Sequence, residues 1–197
     1  MRLQDSLPEF VYVGRKRYRV DLDFRNVLRM MDVLGNDDLM PEAREWNALK
    51  CIMKRPPKRA AAVLLAVKLL LFPDHKKQQQ QKRLTDFVQD ADLIRAAFLQ
   101  NFGINLYRDR LHWFEFTGLL SCLPEGSRYA EIVGIRARPM PKATKYNAEE
   151  RQWLAKAKAT YAIQLDEKER EKMLQSSLHR TTESLLALAK RGEKTNA

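Results

Sequence analysis

Cysteine, histidine and glycine are scarce in this chain of 197 residues, which holds two, three and seven of them. Cys51 and Cys122 stand in unrelated contexts, with no Cys-x-x-Cys and no Cys/His cluster. That excludes a zinc-finger framework and a disulfide scaffold, and fits a reducing compartment. His75, His112 and His179 form neither HxxxH nor HExxH, so no paired metal ligands are expected. No phosphate-binding loop, GxGxxG or GxSxG occurs. Residues 60–72 are the most apolar run, but they include Lys68 and are too short to span a bilayer. Residues 1–10 carry no signal-peptide pattern. These absences set the expectation of a soluble protein without cofactor, metal or catalytic centre. With only eight prolines beside the seven glycines, long helices are favoured over a turn-rich β fold.

What is abundant is positive charge, +11 in total. It is unevenly placed. Residues 42–83 hold eleven basic and three acidic side chains, and residues 136–197 hold fourteen and eight. The stretch between them, 84–135, holds four basic and seven acidic. No arm or stripe stands out as a phosphate-tracking surface, so nucleic-acid binding is the alternative reading and not the leading one.

The patterning predicts a mainly α fold, with a small N-terminal β-hairpin followed by about six to seven helices. Residues 10–20 alternate as a hairpin around a polar turn at 14–17. Asp23 is placed to cap a helix whose apolar face is Phe24, Val27, Leu28, Met31 and Leu34. Pro41 suits the first turn of a second helix over 42–53. Residues 59–71 form a third helix, apolar nearly all round, so it is buried on several sides or covered by another molecule. Residues 73–84 are a polar, glutamine-rich linker. Residues 1–72 and 85–197 flank it as one cooperative unit.

Beyond the linker, a helix over 86–102 carries the stripe Phe87, Ala91, Ile94 and Phe98. Asp86, Asp90 and Asp92 suit the positive end of its dipole, and Gly103 closes it. A following helix opening at Asp109 places Trp113, Phe116, Leu120 and Leu123 on one face. Ser127 opens the next. Asn147 and Glu150 have capping-box spacing ahead of Leu154, Ala157, Tyr161 and Leu165. A last helix from Asp166 has the stripe Leu174, Leu178, Leu185 and Leu188.

Phe87, Ala91, Ile94, Phe98, Trp113 and Phe116 are therefore assigned to the core. Leu64, Leu65, Leu69 and Leu70 of the third helix are candidate partner contacts. His112 reads as a packing or capping residue, Cys122 as a small buried hydrophobe, and Arg136 and Arg138 as solvated charges.

Four segments carry a family resemblance. They are DLDFR (21–25), FVQDADLIRAAFLQNFGINL (87–106), LHWFEFTGLL (111–120) and EIVGIR (131–136). In this order they resemble a family of tail assembly chaperones of long-tailed bacteriophages, encoded near the tape measure gene. The resemblance covers residues 7–165. It departs at the linker, which has glutamines and lysines where family members often carry acidic residues. What it implies is a chaperone of the host cytoplasm that binds the tape measure protein and keeps it soluble. Tail tube protein and further copies of the chain are implied as additional partners, and absence from the finished virion is implied as well. The other readings are a basic helical nucleic-acid-binding protein and a minor structural component of the virion.

Overall fold

The computed structural model of the chain describes residues 4–73 and 83–164. These form a two-stranded antiparallel hairpin and seven helices, the mainly helical architecture expected. Strands β1 (Phe10–Val13) and β2 (Lys16–Arg19) pair from Phe10↔Arg19 to Val13↔Lys16. Only Gly14 and Arg15 remain in the turn, which is shorter than expected because Lys16 and Arg17 join the ladder. Gly14 has φ 60° while Arg15 stays at negative φ. This is the pattern of a type II′ turn, whose twist matches the paired strands.

The helices are α1 (Phe24–Gly35), α2 (Pro41–Ile52), α3 (Ala60–Leu71), α4 (Ala91–Phe102), α5 (Trp113–Ser121), α6 (Arg128–Ala137) and α7 (Ala148–Thr160). Local chemistry fixes most of their ends. Asp23 accepts the Arg25 N–H at the start of α1, and Ser127 accepts the Ala130 N–H at the start of α6. Pro41 opens α2, where its missing N–H costs nothing. Gly103 closes α4 at φ 69°, its N–H bonded to Leu99 O and the next N–H to Phe98 O.

Two expected helix starts are displaced, and a third helix starts in place without its expected cap bond. Residues 87–90 form a separate turn, because the Asp86 carboxylate accepts the Val88 and Gln89 N–H groups at 2.8 Å; α4 begins after it. Asp109 folds back to accept the Asn105 N–H at 2.7 Å, so α5 starts at Trp113 with His112 as its cap. Asn147 makes no cap bond. Its amide binds Thr144 N and Lys142 O, and Glu150 pairs with Arg138 at 2.6 Å.

α1 packs on α2, α2 on α3, and α3 on β1. α5 touches both α1 and α4, and α4 leads through α6 to α7. The two sides of the chain therefore share one core in a compact unit ending at Tyr161. Its centre is aromatic. Phe116 stacks on Phe24 at 4.6 Å and on Phe98 at 5.3 Å, with Trp113 5.9 Å away. Phe72 and Phe87 meet Trp113 edge-on. No described helix is long and apolar enough to cross a membrane. Residues 74–82 of the polar segment, Leu165 of the preceding stripe and the last expected helix with Leu174, Leu178, Leu185 and Leu188 lie outside the described residues.

Candidate functional site

Two polar centres, the first buried and the second partly exposed, link the four recognisable segments. In the first, Arg136 is buried, which corrects the expectation of a solvated charge. Tyr129, Ile132 and Arg136 fall on one face of α6, so helical phase carries the guanidinium inward with the two apolar side chains. It grips Asp90 through two bonds, Nη1 to Oδ2 at 2.6 Å and Nη2 to Oδ1 at 2.8 Å. Nη1 also donates to Leu84 O at 2.9 Å, and Nε to Tyr161 O at 2.6 Å.

Asp90 therefore does more than complement a helix dipole. Burial alone would raise its carboxyl pKa. The bonds from Arg136, the Asp86 N–H and the Arg136 charge outweigh burial and hold it below the ordinary 3.8. Burial also pushes the nearby Tyr129 hydroxyl up, opposed by its 2.7 Å hydrogen bond with Thr85. Arg138 is exposed, as expected of a solvated charge, and Asp92 lies exposed in the first turn of α4, where it suits the helix dipole.

The second centre joins DLDFR to LHW. Phe24 N donates to Leu111 O at 3.0 Å, and Trp113 N to Leu22 O at 2.8 Å. Buried Asp23 receives Arg25 and Arg110, each at 3.3 Å on Oδ2. Arg25 Nη2 continues to Leu106 O and Asp109 O. His112 completes the stitch. Its Nδ1 accepts the Phe114 N–H at 3.2 Å, which leaves Nε2 as the protonated nitrogen, 3.3 Å from Pro8 O. Glu115 accepts the His112 N–H at 2.9 Å, closing a capping box. His112 is thus a cap, as expected.

Asp23, Asp90, His112 and Arg136 are thus all engaged in contacts within the fold. Among the described residues no group of three or more His, Cys, Asp or Glu side chains is placed to hold a metal ion. Cys122 is exposed, contrary to its assignment as a buried hydrophobe, because it falls one residue past α5 where the helix ends.

Some apolar side chains face outward among the charged ones. Of the four candidate leucines, Leu64 lies in the core and Leu70 packs partly against it. Leu65 and Leu69 project outward, 58% and 60% exposed. A groove of about 690 Å³ runs between α5 and α6 over Leu120, Leu123, Tyr129 and Val133. A smaller one, of about 320 Å³, lies between α1 and α4. Of the six residues assigned to the core, Ile94, Phe98, Trp113 and Phe116 are buried. Phe87 and Ala91 are half-buried and line the smaller groove with Arg29 and Arg95. Alternation of apolar positions does not show which side of a stripe stays open.

The described fold is thus helical and stitched by internal polar contacts, with a few apolar side chains and two grooves open on its surface. The family of bacteriophage Gp15 proteins matches residues 3–163, and the chain belongs to that family. It is therefore a phage protein. No curated protein and no solved structure matches it.

Proposed function

We propose that this chain is a tail assembly chaperone that binds the tape measure protein, keeps it soluble and leaves before the virion is complete. Membership of a phage family supports the setting, and the four segments quoted above support the class. The observation that carries the reading is the outward pair Leu65 and Leu69 on a helix whose other face is already packed. A tape measure protein is a long helical chain with apolar faces, and these aggregate until tube subunits cover them. An apolar helix face can shield such a client, and many weak contacts along it gain strength together while each stays displaceable. Binding needs no catalysis, so no enzyme activity or cofactor is proposed. The work takes place in the host cytoplasm, with tail tube protein and further copies of the chain as additional partners.

Co-expression with the tape measure protein of the same phage tests this. The soluble fraction of tape measure should rise, and a complex should co-purify. A tape measure equally insoluble with and without the chain refutes the reading. Mass spectrometry of purified virions should find almost none of this chain; a stoichiometric amount would make it a structural component instead. A nucleic-acid-binding reading draws on exposed Lys54, Arg55, Lys58 and Arg59. It requires duplex DNA binding that weakens steeply with salt.

A further inference from the structure

The exposed leucines of α3 continue a larger surface. Ala60, Val63, Leu64, Val67 and Leu71 bury the inner face of this helix. Ala61, Ala62, Leu65 and Leu69 remain on the outer one. Ala61, Leu65 and Leu69 follow one another at intervals of four, a single ridge along the helix. Immediately before it, Lys54, Arg55, Lys58 and Arg59 are all exposed, and none forms an ion pair with a described residue. No acidic residue occurs between Glu45 and Asp74. α3 also begins without a side-chain cap and without an acidic residue in its first turn. Its free N–H groups and the positive end of its dipole therefore point toward the same basic segment.

We propose that this ridge and the basic segment form one docking surface for an amphipathic helix with carboxylates at one end of its apolar stripe. The proposal rests on the chaperone reading and names the part of the client that is recognised. Charge complementarity sets the polarity: the client's carboxylates meet Lys54, Arg55, Lys58 and Arg59, and its apolar side chains run along Leu65 and Leu69. The small Ala61 and Ala62 let a second helix approach to the usual interaxial distance of about 8–10 Å. That feature separates a helix from a lipid surface. Interfacial lipid binding depends on bulky apolar side chains buried among acyl chains, and two leucines with two alanines supply little of that. It also separates a helix from nucleic acid, since phosphates would use the basic segment and leave the ridge in water.

The test uses the full chain and two variants, Leu65→Glu/Leu69→Glu and Lys58→Glu/Arg59→Glu, with circular dichroism melts to confirm that both fold. The probe is a synthetic amphipathic helical peptide of about 20 residues, about 30 Å long, with glutamates at one end. A second peptide carries lysines in their place. The glutamate peptide should bind about tenfold or more tighter than the lysine peptide, a difference of 1.4 kcal/mol per decade. Leu65→Glu/Leu69→Glu should lose binding to both, and Lys58→Glu/Arg59→Glu should lose or reverse the preference. Equal affinity for the two peptides overturns the proposal, as does undiminished binding by the leucine variant. Preferential binding to phosphatidylcholine–phosphatidylserine vesicles or to duplex DNA overturns it too. If wild type and the leucine variant keep the tape measure protein equally soluble, the surface is wrong and the chaperone reading stands. If the peptides behave as expected and tape measure stays insoluble, the surface is right and the client is another protein.

Discussion

Arg136 shows how a charge can be a core residue. Its guanidinium holds Asp90 by two bonds and two backbone carbonyls from distant parts of the chain. Removing one member of such a pair leaves the other buried and uncompensated, which costs about 3–5 kcal/mol. Arg136→Met should therefore lower the unfolding free energy by about that amount in urea denaturation. Arg136→Lys should recover little, because an ammonium cannot reproduce the planar two-pronged grip.

The pair also makes stability depend on pH. The Asp90 carboxyl sits below its ordinary value in the folded state. Its contribution is complete above the unfolded carboxylate range and is lost as pH falls below about 4, through the folded value. Urea melts at successive pH values should show this acid loss in wild type and a smaller one in Asp90→Asn. Trp113, 4% exposed within the aromatic cluster, carries a different kind of weight. Trp113→Ala should cost about 3–5 kcal/mol through lost burial and the cavity left behind, and an unchanged melting temperature would contradict its place in the core.

At the scale of elements, the helices divide into those whose ends are written locally and those set by their neighbours. Asp23, Pro41, Gly103 and Ser127 act within a few residues of themselves, and their helices start or stop where the local pattern puts them. Asp109, Asn147 and Glu150 had equally good spacing but found other partners, so α5 begins later than expected and α7 begins after Asn147 without the capping box. The burial of Arg136 is legible in its helical phase with Tyr129 and Ile132, although its charge alone points to solvent. The outer face of α3 was not legible at all: twelve residues apolar nearly all round give no signal for which side the core takes.

Gly134 offers a test at this scale. It lies inside α6, and a Cβ there would meet nothing within 4 Å. Gly134→Ala should stabilise the fold by about 0.8–1 kcal/mol through helix propensity alone. A thermal melt that moves downward would show that α6 is not held as described.

At the scale of the whole molecule, the parts that identify the family and the parts that face outward are different. DLDFR, LHW, Asp90 and Arg136 stitch the chain to itself, and α3 presents leucines to whatever meets it. The basic excess, spread over the sequence, becomes informative where it gathers beside that ridge. Under the proposed function, copies of the chain repeat along a long helical client with α3 facing it.

Light scattering on the co-expressed and purified pair, chain with tape measure protein of the same phage, addresses that directly. The expected result is a soluble complex whose mass requires several copies of the 23.0 kDa chain for each tape measure. A tape measure that sediments as aggregate, with the chain eluting alone, would contradict the account.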